Sequence, residues 1–143
     1  MINQILTAVA AAATATLSFP IRLGFNADAI SNEQVWLTAS ATPLSATAAG
    51  VSDSWDMSIT VTACTLAQAV ADGSGVAIGD PTGSRRAAML ASVINWMQTS
   101  AAALSVSGYT IHAAFNHEPR GAQASGDEYV REIATISLAI SKS

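Results

Sequence analysis

His112, His117 and Glu118 fall close together and invite a metal reading. A metal site needs three or four converging His, Cys or carboxylate ligands. No second ligand pair stands elsewhere, and the single cysteine, Cys64, is far off in sequence. The expectation is therefore no metal: His112 is an exposed residue on a strand's polar face, and His117 with Glu118 is a loop tip. The stretch GVAIGDPTGSRR over 75–86 leads into a helix through glycines. A phosphate cradle needs G-x-x-x-x-G-K-[ST]. Here Gly79 and Gly83 are too closely spaced and no lysine follows. A helix N-terminus there would still attract an anion, with Arg85 and Arg86 beside it. The simpler reading is a helix cap with two solvated arginines; a salt bridge to a neighbouring subunit is a third use.

Serines and threonines are too abundant for any Ser–His–Asp combination to mean much, and no G-x-S-x-G elbow occurs. Asp127, Glu128 and Glu132 beside Arg131 read as the solvated start of a strand. No catalytic residue, no cofactor and no enzymatic activity is expected. Trp36 is the aromatic outlier. It falls on the otherwise polar face of its strand, so either a helix covers that face or the ring belongs to a contact surface.

The elements that position these residues follow from hydrophobic period. Ile2, Ile5, Leu6, Val9, Ala13 and Leu17 have helical spacing over 2–17, and Pro20 stops the helix. Residues 33–41 alternate as a strand, with Val35, Leu37 and Ala39 on one side. Residues 55–63, WDMSITVTA, alternate most strictly, with Trp55, Met57, Ile59, Val61 and Ala63 opposite Asp56, Ser58, Thr60 and Thr62. These two strands pair antiparallel across a long loop at 41–54, marked by Pro43 and Gly50. Residues 64–79 are ambiguous, with a helical turn and then glycines. Asp80 and Pro81 match an N-cap and first helical residue, with Thr82 or Ser84 as competing caps. Leu90, Val93, Ile94, Met97, Ala101 and Leu104 give the apolar stripe of a helix that Gly108 ends. Residues 109–115 and 128–140 are two further strands around a long loop at 116–128. The sum is a single α+β domain over 1–143: a mostly antiparallel sheet of about four strands, packed by an N-terminal and a central helix.

Composition narrows function by exclusion. The chain has 143 residues, of which 60 are Ala, Ser or Thr, and only 11% are charged. Disorder demands the reverse balance. One cysteine builds no disulfide scaffold. A net charge of −4 does not suit a basic nucleic-acid reader. The first 19 residues lack the basic start of a signal peptide, since the first basic residue is Arg22, and they read as a mature helix. They are also short for a membrane span. What remains is a surface of small, weakly charged residues, which is cheap to desolvate against a partner.

The opening INQILTAVAAA, the strand SWDMSITVTA, the helix RRAAMLASVINWM and the closing HEPRGAQASGDEYVREIATISLAI, in that order, resemble the tail terminator and tail completion (head–tail joining) proteins of tailed bacteriophages. The departure is 64–83, where that family runs more directly from strand to helix. The resemblance implies a virion structural protein at the phage neck. It implies a homo-oligomeric ring, often of six, that caps the tail tube and joins the head-side connector. Tail tube and connector proteins would be its partners, DNA would only pass through the channel, and no membrane is involved. Six copies would carry six times the −4 of one chain, a charge that repels the phosphate backbone. Trp36, Arg85, Arg86, Arg120 and Arg131 are the expected interface residues, and the loops at 41–54 and 116–128 would order on docking. Alternatives are another neck, minor capsid or baseplate adaptor subunit, a small ligand-binding domain, or a secreted pilin-like subunit.

Overall fold

The computed structural model describes residues 1–24, 33–46, 52–66, 70–71, 77–80, 82–124 and 129–143. The elements in chain order are α1 (Ile2–Thr16), β1 (Ile21–Leu23), β2 (Gln34–Ala46), β3 (Ser52–Leu66), β4 (Val70–Ala71), β5 (Ala77–Ile78), α2 (Ser84–Ser100), β6 (Tyr109–Ala124) and β7 (Tyr129–Lys142). Five strands form one sheet in the order β1-β2-β3-β7-β6, and β4 with β5 makes a separate two-stranded piece. The class is α+β, as the periodicity indicates. The sheet has one more strand than expected and is mixed, because β1 runs parallel to β2 while the other pairs are antiparallel.

Both helices lie on one face of this sheet. Strand alternation sends Val35 and Leu37 of β2, Met57, Ile59, Val61 and Ala63 of β3, and Ala134, Ile136, Leu138 and Ile140 of β7 to that face. Register aligns them into rows such as Leu37–Val61–Ala134 and Ala41–Met57–Leu138. Ile5, Val9 and Ala13 of α1 and Met89, Val93 and Met97 of α2 close over the rows, all fully buried. The opposite face carries no helix among the described residues. Its middle rows are Thr38–Thr60–Thr135 and Ser40–Ser58–Ser137.

Four expectations are corrected. Residues 41–46 and 52–54, read as loop, belong to β2 and β3. Pro43 does not break β2, for a reason visible in the backbone. Val35 N–H donates to Pro20 O and Leu37 O accepts from Gly24 N–H, so the odd residues of β2 aim their backbone groups away from β3. Pro43 is odd, and its missing N–H falls on the outward side, where the β2–β3 ladder loses nothing. Second, residues 116–124, also read as loop, continue β6 along β7 through two register shifts, between Phe115 and Glu118 and between Pro119 and Gly121. Pro119 and Gly121 are tolerated there because β6 is an edge strand. Third, α2 starts at Ser84 after Gly83, not at Pro81, which lies outside the described residues. Fourth, α2 ends at Ser100 and is followed by a 3-10 turn at Ala101–Ala103, well short of Gly108. Gly108, at φ +84°, instead makes the tight turn in which Tyr109 N–H reaches Val106 O.

Ile59 sits at the centre of β3 with no exposed surface. Ile59→Ala is expected to destabilise the fold by about 2–5 kcal/mol, read as a lowered urea midpoint at unchanged m.

Candidate functional site

The most polar buried cluster lies where α2 starts against the end of β3. Thr65 continues the helix-covered face of β3 and is fully buried, and Asp80 and Arg86 are nearly so. The Asp80 carboxylate accepts the backbone N–H of Arg85 at 3.1 Å and of Arg86 at 2.8 Å. The Thr65 hydroxyl donates to Asp80 Oδ2 at 3.3 Å and accepts from Arg86 Nη1 at 3.1 Å. Arg86 Nη1 stands 3.9 Å from the same carboxylate oxygen. Asp80 therefore caps α2 from outside the usual cap position, which Gly83 fills in a left-handed conformation.

This geometry shows what meets the first amides of α2. The helix N-terminus attracts negative charge. Here Asp80 supplies it, so the place an anionic ligand would take is occupied by the protein itself. Burial works against the charged form of Asp80. The N–H donors of Arg86 and Arg85, the Thr65 hydroxyl and the Arg86 charge outweigh it and hold the carboxyl below its ordinary value.

The expected interface residues separate. Arg86 is not solvated, being 8% exposed and bound into the Asp80–Thr65 cluster. Arg85 remains half-exposed; its Nε meets Glu33 Oε1 at 3.3 Å, and its guanidinium lies 5.8 Å from the Phe19 ring. Trp36 points to the helix-free face, yet it is only 6% exposed, with the Arg22 guanidinium 6.0 Å from its ring. No helix is needed to bury it. Arg131 is half-buried on β7 beside Cys64 of β3. Arg120 belongs to β6, and its side chain lies outside the described residues, as do those of His117 and Glu118. His112 is exposed as expected, its Nε2 lying 2.7 Å from Ser141 Oγ. Among the described residues no three His, Cys, Asp or Glu side chains converge. Burial pushes the Cys64 thiol up to about 11 against the lowering charges of Arg131 and Arg86, so it stays protonated and a poor nucleophile.

The feature that residue types did not disclose is in the backbone. Beyond β1, which covers only Val35–Leu37, the outward side of β2 meets no other strand among the described residues. The outward side of β6, the other edge of the sheet, likewise meets none. A cleft of about 640 Å³ adjoins the open part of β2, between it and the start of α1, lined by Met1, Ile2, Asn3, Ala39, Ala41, Pro43 and Trp55.

Compared with known proteins, the chain matches no family model and no curated sequence. Among the described residues no helix is long and apolar enough to cross a membrane.

Two outcomes follow from the Asp80 cluster. A carboxyl held low in the folded state stabilises above its unfolded value, about 3.9, and that contribution disappears as pH falls through the folded value. Wild-type stability should therefore drop below about pH 4, and Asp80→Asn should be less stable at pH 7 with a flatter acid limb in urea titrations. At Gly83, φ is +77° and an added Cβ would sit 2.6 Å from Arg86 Nη2. Gly83→Ala should cost about 1–3 kcal/mol by the same assay.

Proposed function

We propose that this chain is a structural subunit that assembles with copies of itself into a closed ring, at the neck of a tailed phage particle. In this reading it acts as a tail terminator, capping the tail tube and meeting the head-side connector, and it catalyses no reaction. The observation that carries assembly is the five-stranded sheet, which among the described residues meets no further strand beyond β1 along β2 on one side or along β6 on the other. An exposed edge presents unpaired N–H and C=O groups and is a template for another chain. Two different edges per copy give a head-to-tail contact, and such contacts make rings when the rotation closes. The phage assignment comes from the order of elements and their sequences, which resemble the tail terminators. The low charge and small side chains support burial against neighbours, because little hydration is lost.

Light scattering on the purified protein tests the assembly. The expected result is one species at a whole multiple of the 14.6 kDa chain, seen as rings by negative-stain microscopy. A monomer at every concentration up to the millimolar range refutes it. Incubation with tail tubes then separates the assignments. Binding to one tube end supports a terminator, and binding to baseplate or capsid in its place supports another adaptor subunit.

A further inference from the structure

We propose that β2 of each copy receives β6 of the next copy along Thr38–Thr42, in line with β1 and beside the cleft under α1. This rests on the ring reading and specifies its contact. Because odd residues of β2 point their backbone groups outward, Ala39 and Ala41 each offer an outward N–H and C=O. Pro43 ends the row of donors. Strand addition of this kind takes its affinity from main-chain hydrogen bonds and its specificity from pockets for alternate side chains. Both are present, since the cleft bordered by Ala39, Ala41 and Trp55 opens along the same stretch. Among the described residues the exposed large apolar side chains are Leu23, 43% exposed, and Leu44, 63% exposed. They stand at the two ends of this stretch, one closing β1 and one following Pro43.

The occupant is a second copy because direction and row height match. In the sheet, β2, β3, β7 and β6 alternate in direction. A neighbour placed in the same orientation therefore lays its β2 antiparallel to β6, and the alternation continues. Thr38, Thr60, Thr135 and Glu118 share one row, and Thr42, Asp56, Ala139 and Ala113 another. Copies held level thus set Thr38–Thr42 against Ala113–Glu118. The two runs are bounded alike, by the end of β1 and Pro43 on β2, and by the shift after Ile111 and Pro119 on β6. One shift, between Phe115 and Glu118, interrupts the β6 run. The prolines and shifts keep the pairing short and in one register, where an unbroken edge would invite open-ended addition.

The test compares wild type with Ala41→Pro, which removes an outward N–H and leaves the β2–β3 ladder intact. Its half-assembly concentration should rise at least tenfold by light scattering, with the far-ultraviolet circular dichroism of wild type. Leu44→Asp, at a largely exposed position, should weaken assembly in the same direction and serves if Ala41→Pro does not fold. In a Cys64→Ala background, Thr42→Cys and Ala113→Cys proteins mixed and treated with a short bismaleimide should give covalent dimers, and neither protein alone should. An undiminished ring in both Ala41→Pro and Leu44→Asp overturns the contact while leaving the ring reading standing. Covalent dimers from Ala113→Cys alone also overturn it, because they mean β6 pairs with itself. A monomeric wild type overturns both.

Discussion

Period-2 alternation in β3 forbids any slip of its register by an odd number of residues. A slip of one residue would turn Met57, Ile59, Val61 and Ala63 to the helix-free face and bring Ser58, Thr60 and Thr62 under the helices. Each buried apolar side chain is worth about 1.5–3 kcal/mol, so the slip is prohibitive. β3 pairs on both sides, and its register sets that of β2 and β7. With the apolar rows of three strands aligned, both helices must pack on the same face. The other face and the two edges of the sheet are left over by that choice.

The Asp80 cluster solves a problem created by this layering. α2 begins on the helix-covered face at the end of β3, and its first N–H groups point into a region that water does not reach freely. Unsatisfied buried donors cost about 1–3 kcal/mol each. Asp80 answers two of them, and Asp80 N–H itself donates to Leu66 O at 3.0 Å, tying the cap to the last residue of β3. Thr65 and Arg86 then complete the carboxylate's hydrogen bonds and charge balance. The cluster fixes where α2 starts, and hence which α2 residues meet the sheet. Its chemistry is that of a joint, which is why residues that look like an anion site in sequence bind each other.

Both helices and the four long strands were legible because their periods are strong and their apolar faces are covered. Strand lengths were not, and the reason is specific. Pro43 and Pro119 are loop signals only where a backbone donor is needed, and Gly121 sits at a register shift of an edge strand. Where an edge strand's outward N–H meets no other strand, a proline there changes nothing in the ladder. β1, at three residues, is too short to carry a period. Two adjacent arginines close after a glycine look like a surface, yet Arg86 is buried. Only the fold brings Thr65 of β3 across to meet the second of them. Asp80 has the residue type of a cap, but its reach past Gly83 to the Arg85 and Arg86 amides depends on the left-handed turn, which spacing alone does not reveal. The strand edges that meet no further strand among the described residues leave no mark in residue types, since any sequence can supply backbone groups.

The abundance of Ala, Ser and Thr also divides along these surfaces. Alanines at 39 and 41 sit on the helix-covered face where β1 has ended, and their small size leaves the cleft beside Trp55 unfilled. Larger residues there would close the cleft against α1. Serines and threonines instead fill the middle rows of the helix-free face, where a hydroxyl can meet either water or a neighbour. A charged side chain at those positions would hold its hydration shell and resist any approach. The sparse charge is therefore informative by position. Arg86 and Asp80 are used inside the fold, and the stretch of β2 from Thr38 to Leu44 carries none. That stretch joins backbone groups facing outward, exposed apolar ends and no charge to desolvate, so the same residues that leave the sheet incomplete also make its completion by another strand inexpensive.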